Sequence, residues 1–457
     1  MALYYSMALS SVLCDKMLVR EAKLLKGSIE QYQALDEAIR TAQFIRNKCV
    51  RYWMDNQGVG KAVLYSLCKD LAKEFLFAKR LNSAARQACA ERAWQSISSF
   101  YRRCKSGEAK KGYPKFQKHC RSVEYKVSGW KLSEDAMCIV FTDGFNSGTF
   151  SLYCNKETRE DLLTLKINRV RVVRRADGYY AQFCFDAGRK EQAEYTGNVI
   201  GIDLGLKYFY KDQKDNSVEC PKLLRKAEKR LKRQQRRLSR KFVKGVKPQS
   251  NNYHKQRKRL GKTHLKIQRQ RKDWAIKLAR NVVASNDVVV YEDLKVSNMV
   301  KNHHLAKSIS DASWYQFTQW LDYYGKIWDK AVVAVSPNHT SQDCSNCGQR
   351  VKKTLSTRTH QCPSCGLEMC RDTNAALNIL KKGMGILGMD WQNSTQGHWE
   401  TGEKSQTTEE MIASTKSRQL EIASDVAESV TSWILNKKGQ RKPWRQESGK
   451  RLRIVTP

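Results

Sequence analysis

Val199-Ile200-Gly201-Ile202-Asp203-Leu204-Gly205 is a short apolar run that ends in an acid. Such a run, punctuated by glycine, reads as a buried strand that delivers Asp203 at its carboxyl end. Val288-Val289-Val290-Tyr291 repeats the pattern and delivers Glu292, followed by Asp293. A third acid, Asp372, lies in Arg371-Asp372-Thr373-Asn374-Ala375-Ala376, ahead of an apolar helical pattern. Between the second and third islands stands Cys344-Ser345-Asn346-Cys347 … Cys362-Pro363-Ser364-Cys365, with fourteen residues separating the pairs. Hard Mg²⁺ takes carboxylate and phosphate oxygens. Four thiolates select Zn²⁺ and complete its tetrahedron, so that site should be structural, and Cys370 nearby is not needed as a ligand. Asp203, Glu292 and Asp372 are therefore the candidate magnesium ligands, and Cys344, Cys347, Cys362 and Cys365 the candidate zinc ligands. The combination points to a metal-dependent enzyme acting on phosphodiesters.

The charge says which polymer. There are 84 Lys+Arg against 45 Asp+Glu, a formal net charge of +39. That excess implies a polyanionic partner, and nucleic acid fits better than an anionic membrane. No run of about 18 apolar residues is available to span a bilayer, and the first residues do not read as a signal peptide. A cytoplasmic, nucleoid-associated protein of a prokaryotic cell is expected. Fifteen cysteines without framework spacing read, outside the zinc motif, as reduced and mostly buried thiols.

In 457 residues roughly three domains are expected. A β segment at 14–27 precedes an apolar stripe of Tyr32, Leu35, Ile39, Ala42, Ile45, Cys49 and Tyr52 at helical spacing. A second helix is expected over 61–79, and a third from Asn82-Ser83, good N-cap types, to about Cys104. From Tyr113 the texture turns to strands, with a hairpin from Arg169 to Phe185 turning at Ala176-Asp177-Gly178. Residues 222–280 hold 24 Lys+Arg and two acids, Glu228 and Asp273. Leu224, Leu231 and Leu238, and Leu260, Ile267 and Trp274, recur every seven residues, giving two helices with thin apolar seams. A charge run is usually a solvated face, but this one is too unbalanced for salt-bridged solvation. Its cations, Arg233, Arg236, Arg237 and Arg240 among them, suit a phosphate backbone. An aromatic-rich helix is expected over 311–330, then a strand at 331–335. The pattern dissolves after Lys382, apart from a possible amphipathic stretch near 409–435.

Taken singly, the acids have other readings. A strand ending in aspartate opens the ribonuclease-H-like fold but also the actin-type ATPases, although Leu206-Lys207 does not suit a nucleotide pocket. Glu292 suits a strand end, and Asp372 a helix N-cap. The run from Thr340-Ser341-Gln342-Asp343-Cys344 through Asn374-Ala375-Ala376-Leu377-Asn378-Ile379 decides among them, because it resembles the end of the transposon-encoded TnpB proteins, relatives of the type V CRISPR effectors. Gly201-Ile202-Asp203-Leu204-Gly205-Leu206 and Glu292-Asp293-Leu294-Lys295-Val296-Ser297-Asn298-Met299 are similar to that family's first two RuvC motifs. Gly112-Tyr113-Pro114-Lys115-Phe116 and Asp177-Gly178-Tyr179-Tyr180 match its N-terminal half. The resemblance covers residues 15–382. One departure is Cys370, where the family commonly has an aspartate.

The resemblance implies a multidomain α+β chain: a β-barrel-like wedge domain with a helical insert, then a RuvC/RNase H-like α/β nuclease domain with an inserted zinc ribbon. The expected boundaries are 1–30 with 108–192 for the wedge and 31–107 for the helical recognition insert. The nuclease domain takes 193–337 with 369–382, including the basic helical hairpin 222–280. The zinc ribbon takes 338–368, and 383–457 form a tail, partly disordered. It further implies an RNA-guided DNA endonuclease that uses a transposon-end-derived guide RNA and cuts double-stranded target DNA beside a short adjacent motif. Asp203, Glu292 and Asp372 would ligate two catalytic Mg²⁺, with one structural Zn²⁺ on the cysteines. A compact CRISPR effector, a nuclease-dead RNA-guided repressor and a strand-transfer transposase are the alternatives. The intact acid triad argues against the repressor, and the TnpB-type motifs argue against the transposase.

Overall fold

The computed structural model describes residues 17–108, 111–187, 191, 193–246, 248–354 and 356–388. Strand β1 (Leu18–Leu25) leads into helix α1 (Ile29–Asp55), which Ser28 and Gln31 start as a reciprocal capping box. Helices α2 (Lys61–Glu74), α3 (Leu76–Arg80) and α4 (Ser83–Lys105) follow. Asn82 caps α4 by accepting from the Ala84 and Ala85 N–H groups. The single helix expected over 61–79 is broken at Phe75, whose extended backbone turns its ring edge-on to Phe44 at 5.1 Å. Strands β2 (Ser122–Tyr125), β3 (Trp130–Leu132), β4 (Cys138–Phe141) and β5 (Gly148–Tyr153), helix α5 (Lys156–Thr164), and strands β6 (Ile167–Arg175) and β7 (Gly178–Phe185) complete this half.

These strands form one antiparallel sheet in the order β2-β6-β7-β1-β5-β4-β3. Its two edge strands, β2 and β3, are consecutive in sequence with only residues 126–129 between them. A chain that short brings the edges together only if the sheet curls. The Trp130 indole N–H closes that link on the Lys126 carbonyl at 2.7 Å. Leu24, Phe150, Val170, Val172 and Phe183 of the sheet share one core with Leu35, Ile39, Ile45 and Ile97 of the helices.

Strands β8 (Val199–Leu204), β9 (Tyr208–Asp212) and β10 (Ser217–Glu219) open a second sheet. Helices α6 (Leu223–Ser239) and α7 (Asn251–Ala284) precede strand β11 (Val288–Glu292). Helices α8 (Val296–Met299), α9 (His303–Ala312) and α10 (Trp314–Trp328) lead to strand β12 (Ala331–Val335). Strands β13 (Thr359–Gln361) and β14 (Glu368–Cys370) form a hairpin, and helix α11 (Arg371–Leu387) follows. The sheet order is β10-β9-β8-β11-β12, with β8 to β10 an antiparallel meander and β11 and β12 parallel to β8.

The apolar run of β11 is buried on both faces. Val289 and Tyr291 meet α7 and α10, and Val288 and Val290 meet α11. The aromatic helix expected from 311 starts at Trp314, because Ser313 at φ 60° separates it from α9, to which Asp311 belongs. Helix α11 also outruns the expected end of the pattern at 382: Gly383 packs against Val290 and Met384 is buried. The amphipathic stretch expected near 409–435 lies outside the described residues. The described cysteines are all free, but beyond the zinc motif more are half-buried than buried, Cys138 and Cys220 among the former. No helix among the described residues is long and apolar enough to cross a membrane.

Candidate functional site

Strands β8 and β11 run parallel in a register that pairs Ile202 with Tyr291. One residue on, Asp203 and Glu292 stand side by side at the carboxyl ends of adjacent strands. Asp372 arrives from the other direction, in the first turn of α11. Two glycines let that helix come close. A Cβ at Gly201 would lie 2.4 Å from the Ala376 carbonyl oxygen, and one at Gly383 would lie 2.3 Å from Val290. Cys370, not Asp372, occupies the N-cap position, so Asp372 is not needed to cap the helix.

The electrostatics link the three acids. Burial, then the charges of Glu292 and Asp372, push the Asp203 carboxyl well above the usual carboxylate range. Burial also raises Glu292, against a hydrogen bond from Thr340 and the charge of Lys382. Each outer acid has its own holder. The Thr340 hydroxyl donates to Glu292 Oε1 at 2.5 Å, and the Arg371 guanidinium donates to Asp372 Oδ1 at 2.9 Å. Cys370 has taken a partner too, since Lys211 Nζ donates to its sulfur at 3.1 Å and pairs with Asp215 at 2.7 Å. Thr373 closes that group by donating to Asp215.

The cysteine motif is the tightest ligand set. Among the described residues, Cys344, Cys347, Cys362 and Cys365 are the side chains gathered to hold one ion, all four sulfurs within 4.8 Å of one another. Cys344 and Cys365 are 3.6 Å apart and Cys347 and Cys362 3.5 Å, close to the roughly 3.8 Å edge of a tetrahedron with 2.3 Å metal–sulfur bonds. The two knuckles repeat one design. Gly348 N–H donates to the Cys344 carbonyl and Gly366 N–H to the Cys362 carbonyl, both at 2.9 Å. Both glycines sit at positive φ, 77° and 72°, which only glycine adopts freely. The N–H of Leu367 heads the causes that pull the Cys365 thiol down to about 6.

The basic hairpin is built as its heptads suggest. Leu231, Leu260 and Ile267 form a thin seam, and Trp274 packs edge-on to Phe209 at 4.4 Å. Arg233, Arg236 and Arg237 lie exposed on α6, and Arg240 lies exposed at its C-cap. Helix α6 has no local cap, since Lys222 precedes it in left-handed conformation. Asp311 instead accepts from the Leu224 and Arg225 N–H groups and from Arg271. Two residues before Arg271 on α7, Arg269 pairs with Asp177 in the β6–β7 turn at 2.7 Å.

Several residues that organise the site had no role assigned from sequence. Thr340 holds Glu292, and buried Asn374 and Asn378 tie α11 to the first knuckle through the Asp343 and Thr340 carbonyls. The signal was present in two asparagines four apart on an otherwise apolar helix face, a place where an amide needs partners.

Residues 182–303 match the OrfB_IS605 family, described as "Probable transposase", and residues 314–379 match the Cas12f1-like TNB domain. Two bacterial relatives are each named "Putative RNA-guided DNA endonuclease". The Streptomyces pristinaespiralis protein is 36% identical over 42% of this chain and 47% of its own length. The Escherichia coli protein, InsQ, is 32% identical over 42% of this chain and 50% of its own. The chain thus spans about half the length of these relatives. A solved Cas12f1–sgRNA–target DNA complex superposes at TM-score 0.48 and 15% identity, covering 77% of this chain and 81% of that one. The chain thus carries an OrfB_IS605 segment followed by a Cas12f1-like TNB domain, and it is similar to proteins named RNA-guided DNA endonuclease.

Proposed function

We propose that the chain is an RNA-guided DNA endonuclease of the TnpB type, with a RuvC-type active site made by Asp203, Glu292 and Asp372. The observation that carries this reading is that Asp203 and Glu292 stand at the carboxyl ends of adjacent parallel strands, where the charges of Glu292 and of Asp372 from α11 both act on the Asp203 carboxyl. The sheet order there is the one expected of a ribonuclease-H-like fold. Carboxylates that act on one another in this way are the oxygen donors a hard divalent cation takes, although among the described residues only the four cysteines lie close enough together to hold an ion as they stand. When bound, two Mg²⁺ would supply an activated water and stabilise the leaving oxygen of a phosphodiester. This chain's own part is to hold the acids in place, Glu292 through Thr340 and Asp372 through Arg371. The exposed arginines of α6 would carry phosphate backbone to them. The four cysteines would hold one structural Zn²⁺ as the centre of a ribbon inserted at 338–368, fixing the segment before α11.

In this reading the curled sheet and helices of the first half grip a structured guide RNA and the duplex beside the target. The nuclease half holds the heteroduplex and cuts the DNA. The names of the bacterial relatives support RNA guidance, and a protein acting on DNA would work at the nucleoid of a prokaryotic cell. A compact type V CRISPR effector is the second reading, favoured by the Cas12f1-like match over residues 314–379. Sequencing the RNA that co-purifies with the protein separates them: a transposon-end transcript is expected, and a repeat-spacer transcript selects the second. Reprogramming the guide segment should then redirect Mg²⁺-dependent cleavage to a matched DNA, and protein that carries no defined RNA contradicts both.

A further inference from the structure

Thr340 stands between the first cysteine knuckle and the catalytic edge. Its side chain is 4% exposed. Its hydroxyl donates to Glu292 Oε1 at 2.5 Å, with the Pro337 carbonyl a more distant second acceptor at 3.2 Å. One hydroxyl proton serves one strong bond, and the shorter contact, to a charged oxygen, takes it. The Thr340 backbone is fixed as well, its carbonyl accepting from Asn378 Nδ2 at 2.9 Å. Three residues on, the Asp343 carbonyl accepts from Asn374 and Asn378 at 2.8 and 2.7 Å. Ser345 N–H then donates to Asn374 Oδ1 at 2.9 Å. Both asparagines belong to α11, the helix that carries Asp372. The turn segment leading into the knuckle is therefore bonded to Glu292 on one side and to the Asp372 helix on the other.

A carboxylate rotates about its last bond unless something fixes it. A buried donor on Oε1 stops that rotation and leaves Oε2 as the freer oxygen, the arrangement by which a second partner orients a metal-binding carboxylate. We propose that Thr340 is a positioning residue for Glu292, fastened by the knuckle and α11, so that the ribbon sets the aim of a catalytic acid. This rests on the reading of Glu292 as part of the active site.

The test uses the ribonucleoprotein purified with its own RNA, in four forms: wild type, Thr340→Val, Thr340→Ser and Glu292→Gln. Mn²⁺ binding is titrated by electron paramagnetic resonance without DNA, so the readout does not depend on turnover. Cleavage is measured alongside, against Mg²⁺ concentration. Thr340→Val, close in shape but without the donor, should raise the half-saturating Mn²⁺ and Mg²⁺ concentrations by roughly 10–100-fold. Its zinc content should stay at wild type, and Thr340→Ser, which restores the hydroxyl, should fall within about threefold of wild type. If valine is not accommodated, Thr340→Ala takes its place with the same shift expected. Wild-type metal binding by Thr340→Val, or serine behaving as badly as valine, overturns the positioning role while an inactive Glu292→Gln leaves the active-site reading standing. Full cleavage by Glu292→Gln removes that reading, and this inference with it.

Discussion

Replacing Gly201 with alanine tests the claim that the catalytic edge exists because α11 lies unusually close to β8. The added Cβ would stand 2.4 Å from the Ala376 carbonyl oxygen, 2.7 Å from Leu380 Cβ and 3.0 Å from the Leu380 backbone nitrogen. Two of these are backbone atoms in mid-helix and cannot swing aside. Ordinary contact begins at 3.4 Å, so helix and strand must part by about 1 Å. Overpacking of that kind costs about 1–3 kcal/mol. At roughly 2–4 °C per kcal/mol for a domain of 150–250 residues, melting should fall by about 2–12 °C. The shift also carries Asp372 away from Asp203, and a 1 Å displacement of a reacting group is worth on the order of 10²-fold in rate. The control is Gly385→Ala on the same helix, where a Cβ meets nothing within 4 Å. Alanine there should stabilise the helix by up to about 1 kcal/mol. Differential scanning fluorimetry and single-turnover cleavage on both variants give the answer. Gly201→Ala melting and cutting like Gly385→Ala would refute the close-approach argument.

Two further outcomes are expected. Metal analysis of protein purified without chelator should find about one tightly held Zn²⁺ per chain. Cys347→Ser should release it and make residues 340–370 protease-sensitive, since structural zinc in finger peptides is worth about 10–16 kcal/mol; protein with no zinc at the outset contradicts the four-thiolate site. Changing Arg233, Arg236, Arg237 and Arg240 together to glutamine should weaken nucleic-acid binding and flatten its salt dependence. The slope of log K against log salt should fall by roughly 0.7–0.9 for each phosphate no longer neutralised, whereas an unchanged slope means that this face of α6 is only solvated.

Much of the candidate site was legible because its parts are local patterns. Apolar runs ending in Asp203 and Glu292 announce strand ends, and paired thiols two residues apart announce a metal. The heptad leucines of 222–280 gave the helical hairpin, since a seam needs only one residue per turn or two. What stayed hidden is non-local. Nothing near Lys222 says that α6 is capped by Asp311, which lies 87 positions beyond the Leu224 N–H it accepts from. Nothing near Gly383 says that its missing side chain seats Val290, so the helical pattern is expected to dissolve after Lys382 although the helix runs on to Leu387. Phe75 broke a helix whose periodicity continued across it, because its ring found Phe44. Thr340 sat in plain view beside the knuckle, but its acceptor lies 48 residues earlier, and only the folded chain joins them.

The central claim is that Asp203, Glu292 and Asp372 act as one catalytic unit on DNA held by other parts of the protein. Its most direct test is Asp203→Ala, assayed for DNA cleavage with Mg²⁺, guide RNA and a matched target, beside guide and target binding on the same preparation. Losing a metal-positioning carboxylate should abolish detectable cleavage. Binding rests on base pairing and many cationic contacts, and should persist within a few-fold. Glu292→Ala and Asp372→Ala should behave alike, with the triple variant no worse than any single one. Full cleavage by Asp203→Ala would contradict the account.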